Sequence, residues 1–149
     1  MTDRKYARLW LSLSLAVLAV IWGNSCLPGD ESGALSNAVL AWLLKAMPFL
    51  GWMDGFILRK LAHFCEFALL GCLLGLSFRS RGAKQSTFWY APAALSLAAA
   101  CVDETIQIVS PGRYSSLVDV WIDFAGSISG LVFLSMLLMA LKFKKSMRK

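Results

Sequence analysis

Charged side chains are scarce in this sequence. Only 16% of its 149 residues are Asp, Glu, Lys or Arg, against about a quarter in a typical soluble domain. The charges are bunched between long apolar stretches, and 58% of the chain is hydrophobic. Because one bilayer crossing needs roughly 20 apolar residues, four crossings would use nearly the whole chain. This leaves no room for a separate soluble domain, so any chemistry belongs to the helices and their short connections.

Cysteine motifs are also missing. The four cysteines form neither a C-x-x-C pair nor a zinc-type spacing, so no thiol site is predicted. The net charge of +6 does not indicate nucleic acid, because 11 of the 15 basic residues flank hydrophobic segments, where they set membrane orientation. These flanking residues are Arg4, Lys5, Arg8, Arg79, Arg81, Lys84, Lys142, Lys144, Lys145, Arg148 and Lys149.

The hydropathy pattern predicts an all-α integral membrane four-helix bundle that forms a single domain over residues 1–149. Residues 34–53 are apolar but interrupted by a lysine, a proline and a glycine, so they are predicted to form a short interfacial or re-entrant helix between spans 1 and 2. The first span could instead be a signal peptide, but residues 22–26 offer a poor cleavage sequence. The expected spans are residues 9–27, 61–78, 88–109 and 117–141.

The basic flanks predict a multi-pass protein with its N- and C-termini in the cytoplasm. In that orientation eight of the nine acidic residues fall at the opposite, outer end of the bundle. Ionisable side chains at membrane depth are energetically costly and often mark a cavity or a pathway. We therefore expect a polar site at the outer end.

Three of the predicted spans carry polar residues that helical spacing places on one face near this end. On the fourth span Gly126 and Gly130 continue the face of the acidic residues. Because small residues allow helices to pack closely, this face is predicted to point into the bundle. The polar residues are Lys60, His63 and Glu66 on the second span, Asp103, Glu104 and Gln107 on the third, and Asp119 and Asp123 on the fourth, with Arg113 in the last loop.

These residue types suit acid/base and anion chemistry. A carboxylate such as Glu66 could orient one ring nitrogen of His63 and leave the other free, while the forked guanidinium of Arg113 could bind a phosphate or a carboxylate. The sequence also leaves open whether carboxylate oxygens hold a divalent cation at this site. The candidate catalytic residues are His63, Glu66, Asp103 and Glu104; the candidate substrate-binding residues are Lys60, Gln107, Arg113, Asp119 and Asp123; and the possible cation ligands are Asp103, Glu104, Asp119 and Asp123.

At these positions the sequence resembles the VanZ-like family of bacterial membrane proteins, whose founding member is associated with low-level teicoplanin resistance. The resemblance covers roughly residues 60–141, and the first span completes the layout. The family commonly has Asn where this chain has Asp123, which adds a carboxylate. The resemblance implies an inner-membrane envelope function connected with cell-wall or lipid-linked precursors, without an established reaction. Its pieces are KLAHFCEF at 60–67, DETIQ at 103–107, PGR at 111–113, and Asp119-Val120 leading to Gly126.

The leading hypothesis is a hydrolase-like or transferase-like site acting on a lipid-linked or head-group substrate at the outer leaflet. The alternative is a non-catalytic binding or scaffolding protein that influences the cell-wall or glycopeptide response. A small transporter ranks last, because transporters place charges near the midplane. A structural network, in which Lys60 and Arg113 neutralise carboxylates, also stays open. Membrane lipids or lipid-linked precursors are the expected partners, and a homo-oligomer or other membrane proteins are further possibilities.

Overall fold

The computed structural model describes residues 4–147, which form helices and short connections without a strand. Four of the helices are long and apolar enough to cross a membrane, which confirms the all-α bundle with four spans. Arg148 and Lys149, two of the basic residues behind the predicted orientation, lie outside the described range. The helices are α1 (Arg4–Ser25), α2 (Gly29–Ala46), α3 (Gly55–Ser80), α4 (Gln85–Val109) and α5 (Leu117–Ser146), with one 3-10 turn at Pro48–Leu50.

The second helix differs in extent from the predicted segment 34–53. It begins at Gly29, so that Asp30 and Glu31 form its first turn instead of a loop, where negative side chains favour the exposed N–H groups and the helix dipole. It ends at Ala46, because Pro48 cannot continue an α-helix. It packs chiefly against α3, and its interfacial or re-entrant position remains a prediction.

The third helix begins earlier than expected, at Gly55. Asp54 caps it by accepting a hydrogen bond of 2.7 Å from the backbone N–H of Ile57, which satisfies one of the free donors of the first turn. The added residues place Arg59 and Lys60 on the helix itself. Both cations therefore lie on the same rigid element as His63.

The closest helix pair is α3 with α5, which run parallel and pack through glycines. A Cβ atom added to Gly126 would overlap the carbonyl group of Phe64, and one added to Gly130 would overlap that of Ala68. Gly71 on α3 meets α5 in the same way. This contact confirms that the small-residue face of α5 points into the bundle, and it sets the register between α3 and α5.

The two ends of the bundle differ in the charged residues that they carry. The hydroxyl of Ser77 donates to the carbonyl oxygen of Ala7 at 3.2 Å, so the end of α3 lies beside the start of α1. At that end Arg4, Arg8 and Arg81 surround a cavity of about 300 Å³. The opposite end, which we call the site end, combines the end of α1 and α4 with the start of α3 and α5, and it carries most of the buried ionisable residues.

Candidate functional site

The site end contains two adjacent cavities. The polar cavity, of about 250 Å³, lies between α3, the end of α4, the loop before α5 and α5 itself. The α2 cavity, of about 230 Å³, lies between α1, α2 and α3. Arg59, His63 and Arg113 line both cavities. The polar cavity is also lined by Lys60, Glu104, Gln107, Asp119 and Asp123, and the α2 cavity by Glu66 together with the apolar residues Leu27, Leu35, Val39, Leu58 and Ala62.

His63 is oriented toward Asp103 rather than Glu66. Its Nδ1 lies 3.9 Å from Oδ2 of Asp103, and this oxygen accepts a 2.8 Å hydrogen bond from the side-chain amide of Gln107. Glu66 accepts a hydrogen bond from Asn24 of α1 instead, at 3.4 Å. Residues three apart on a helix differ by about 60° in direction, so His63 and Glu66 reach different neighbours. The expected His63–Glu66 pair is therefore not formed in the described chain.

Three carboxyl groups of the site are buried, and in the described residues each has one oxygen without a hydrogen-bond partner. Asp103 is fully buried, Asp123 is 2% exposed and Glu104 is 4% exposed. Within the range 4–147, Oδ1 of Asp103, Oδ1 of Asp123 and Oε1 of Glu104 have no hydrogen-bond partner. A buried polar atom without a partner destabilises the fold unless another group satisfies it. These oxygens are therefore available to a proton, a substrate group or a cation.

Glu104 also has a structural bond. Its Oε2 accepts a 2.7 Å hydrogen bond from the backbone N–H of Ser116, and the Ser116 hydroxyl in turn accepts from the N–H of Val118 at 3.1 Å. Ser116 is the N-cap of α5, where such bonds stabilise the first turn. Glu104 thus fixes the start of α5 against α4, close to the position of Asp123.

Lys60 and Asp119 form an ion pair that joins α3 to α5. The ammonium group of Lys60 also lies 4.6 Å from the ring centre of Phe56. Because the side chains of Lys60 and Asp119 are 27% and 24% exposed, this pair contributes only modest stability. The pair is the contact that the structural-network alternative expects of Lys60, and the substrate-binding roles of Lys60 and Asp119 remain predictions.

Arg113 stabilises the backbone at the end of α1 instead of a carboxylate. It donates hydrogen bonds to the carbonyl oxygens of Leu27 at 3.1 Å and Asn24 at 2.7 Å. Carbonyls at a helix end lack intrahelical partners and carry partial negative charge, so the guanidinium suits them. Burial and then the nearby guanidinium of Arg59 lower the pKa of Arg113, although an arginine remains charged at neutral pH. No carboxylate of the described residues forms an ion pair with either arginine.

Arg59 and Asn24 were not among the residues predicted from sequence. Arg59 lies one helical turn before His63, on the same face, and this spacing was the available signal for it. Asn24 is a polar residue near the end of an apolar span, but its contact with Glu66 joins positions far apart in the chain. That contact depends on how α1 packs against α3, which local spacing does not give.

The possible cation ligands separate into two groups. Asp103 and Asp123 lie together with His63, so that one ligand atom from each is within 4.8 Å of the others. Glu104 and Asp119 have other partners, Ser116 and Lys60. Every predicted site residue except the fully buried Asp103 lines one or both cavities.

Four apolar candidate spans, with buried ionisable groups at one end of the bundle, define a helical membrane protein. The chain belongs to the VanZ/LLP1 family, whose family model matches residues 10–139, and this confirms the resemblance found in the motifs. Comparison with curated proteins and with solved structures gives no match.

Proposed function

We propose that this protein binds the anionic head group of a membrane lipid or lipid-linked precursor in the polar cavity and acts on it as a hydrolase or transferase. The observation that carries the proposal is the adjacency of two cavities across Arg59, His63 and Arg113. The polar cavity is lined mainly by polar and charged residues. The α2 cavity has a larger share of apolar surface, which comes from its leucines, Val39 and Ala62, although polar residues line it too. An amphiphilic ligand would place its head group in the first and the start of its tail in the second.

The wall that the two cavities share carries two arginines, and their positive charge favours an anionic ligand. Arg59 and Arg113 form no ion pair with a carboxylate of the described chain. Arg113 uses two of its five N–H donors on the carbonyls of α1, which leaves donors for a ligand. Arginine matches the oxygen geometry of phosphate particularly well. A phosphate-bearing head group therefore fits both the charge and the donors.

The size of the polar cavity supports a head group rather than a complete ligand. Its volume of about 250 Å³ lies just below the roughly 300–1,000 Å³ of most small-molecule sites. A lipid would need only its polar part enclosed there, because its tail can occupy the α2 cavity and the bilayer. The α2 helix would then cover the junction between head group and tail.

In this scheme His63 is the acid/base residue, since it lies in the wall between the cavities, where the bond joining head group and tail would be placed. Asp103 and Gln107 are positioning residues that act through His63. Asp123 and Glu104 line the same cavity with unpartnered oxygens, which can accept a hydrogen bond from a water or hydroxyl nucleophile.

We also propose that the protein is a multi-pass protein of the bacterial inner membrane with both termini in the cytoplasm. The cluster of Arg4, Arg8 and Arg81 at one end supports this orientation, because basic flanks stay cytoplasmic. The site end would then face the outer leaflet. Exposed Trp42, Trp52 and Trp121 at the site end suit a membrane–water interface.

The test is mass spectrometry of envelope lipids and lipid-linked precursors. Cells lacking the protein are compared with cells expressing, at equal abundance, wild type, His63→Gln or Thr105→Ala. Thr105 is exposed, lines neither cavity and bonds only to its own helix, so it serves as the control. We expect a head-group species to change with wild type and Thr105→Ala but not with His63→Gln. An identical change with His63→Gln would contradict the assignment of His63.

A non-catalytic binding or scaffolding role, influencing the cell-wall or glycopeptide response, is the second candidate. It is favoured by the structural bonds of Glu104 to Ser116 and of Arg113 to α1, which occupy two residues expected to do chemistry. Lipids that copurify with the protein in nanodiscs distinguish the two roles. Bound anionic lipid that survives His63→Gln but not Arg59→Gln, with unchanged lipid pools in cells, would favour binding alone.

A further inference from the structure

His63, Asp103 and Asp123 come from three different helices and meet at one point. Each offers one ligand atom, and these atoms all lie within 4.8 Å of one another. The two aspartates are at least 98% buried and the His63 side chain is 15% exposed. Two buried carboxyl groups and an imidazole at this separation are a costly arrangement unless something compensates the carboxylates.

The protein itself supplies little of that compensation. Gln107 donates to Oδ2 of Asp103, but Oδ1 of Asp103 and Oδ1 of Asp123 have no hydrogen-bond partner in the described chain. Three basic side chains line the polar cavity. Lys60 pairs with Asp119, Arg113 donates to the backbone of Asn24 and Leu27, and Arg59 forms no ion pair with a carboxylate of the described residues. Two unsatisfied oxygens from different helices thus remain beside His63.

The spacing between His63 and Asp103 also fits a shared ion better than a direct bond. At 3.9 Å, Nδ1 and Oδ2 are too far apart for a hydrogen bond. Two ligands that each lie about 2.0–2.1 Å from a tetrahedral ion are roughly 3.3–3.4 Å apart. The three ligand atoms, which lie within 4.8 Å of one another, would therefore move closer together around an ion.

We propose that His63, Asp103 and Asp123 form a binding site for a divalent transition-metal ion such as Zn²⁺ or Mn²⁺. One nitrogen and two carboxylate oxygens suit these ions, and the imidazole disfavours Mg²⁺. Three protein ligands leave a coordination position open, as in catalytic metal sites. Because His63 and Asp123 line the polar cavity, the open position faces it. Gln107 holds Asp103 as a supporting residue.

The proposal deepens the proposed function, because a cation there would bind a phosphate oxygen beside Arg59 and Arg113. With the ion bound, His63 would be its ligand instead of the acid/base residue, and the ion would supply that role by lowering the pKa of a bound water. Metal binding can nevertheless be measured without any substrate. A metal site without a lipid effect would support this inference and count against the lipid-directed function. Conversely, a head-group change in cells, caused by a wild-type protein that binds no stoichiometric metal when purified, would overturn the inference and leave the lipid-directed function intact.

The experiment uses the full chain purified in nanodiscs, stripped with a chelator and then titrated with Zn²⁺, Mn²⁺ or Mg²⁺. Metal content is measured by mass spectrometry, and affinity is measured by competition with a chromophoric chelator. We expect about one Zn²⁺ or Mn²⁺ per wild-type chain. Asp123→Asn and His63→Gln should each weaken binding at least about 100-fold, and Gln107→Leu about 10–100-fold.

The matched control is Asp30→Asn, the same change at an exposed aspartate of α2. Asp30 lines neither cavity and is not part of the cluster, so the metal affinity of this variant should stay near that of wild type. Cobalt substitution distinguishes the loss of a ligand from misfolding. In His63→Gln the helicity measured by circular dichroism should be kept, while the visible absorption of bound Co²⁺ should lose the signature of its nitrogen ligand. Wild type without stoichiometric metal, or equal losses in Asp30→Asn and Asp123→Asn, would overturn the proposal.

Discussion

The contact between α3 and α5 predicts that Gly126→Ala will destabilise the bundle. The added Cβ would overlap the carbonyl group of Phe64, and a backbone carbonyl cannot rotate out of the way. Overpacking of a tight contact costs typically 1–3 kcal/mol, and a contact with backbone belongs in the upper part of that range. The helix gains about 0.5–1 kcal/mol from replacing Gly by Ala. The net loss should be about 1–2 kcal/mol, or roughly 5–30-fold in the ratio of folded to unfolded protein.

Gly75→Ala provides the matched control at the same interface. There the added Cβ would meet the Cδ2 methyl groups of Leu131 and Leu134, each at 2.9 Å, and these ends can move by a change of rotamer. A strained rotamer costs about 0.5–1.5 kcal/mol, which the gain in helix propensity largely offsets. Gly75→Ala should therefore stay within about 1 kcal/mol of wild type.

The assay is reversible unfolding in bicelles by steric trapping, which gives a free energy of unfolding for each variant. Ligand and metal binding are measured for the same variants, because Gly126 is three residues from Asp123 and Phe64 follows His63. Gly126→Ala should also weaken ligand or metal binding, whereas Gly75→Ala should not. Equal stability of wild type and Gly126→Ala, or an equal loss in Gly75→Ala, would refute the argument from close backbone contact.

Three further predictions concern the loop, the start of α5 and the orientation. Arg113→Lys should increase hydrogen exchange of residues 27–32, because the bonds to Asn24 and Leu27 are weakened, whereas Arg59→Lys should not; equal exchange in the two variants would contradict this role. Ser116→Ala should lower stability by about 1 kcal/mol through loss of the N-cap, while Ser129→Ala, whose exposed hydroxyl bonds only within its own helix, should change it by less than about 0.5 kcal/mol. A fluorescent protein fused after Lys149 should fluoresce and an alkaline phosphatase fused there should be inactive; the reverse result would place the basic end outside.

The sequence was sufficient where the signal is local. Apolar length located the spans, and the spacing of Gly126 and Gly130 behind Asp123 identified the inward face of α5, because both features follow from the period of one helix. The partner of His63 could not be obtained in this way. Whether His63 meets Glu66 or Asp103 depends on the rotation of α3 relative to α4, and residues adjacent on one helix can point to different neighbours.

The sequence also could not predict where α2 begins or which groups Arg113 contacts. Asp30 and Glu31 suit either a loop or a first helical turn, and Pro28 permits both. Arg113 was expected to serve a phosphate or a carboxylate, but the end of α1 lies close enough to use part of its donor set. Only the packing of the α4–α5 loop against the α1–α2 connection reveals this second role.

The distribution of the site over three spans also affects how the protein is made. A nascent chain delivers α3, α4 and α5 to the membrane in that order, so His63 and Asp103 arrive before Asp123. Until α5 is in place, α3 lacks the helix whose glycines pack against Phe64 and Ala68, and ionisable groups facing lipid are unfavourable. Insertion of α5 thus brings Asp123 to His63 and Asp103, so the cluster is complete only when the last span of the bundle has been added.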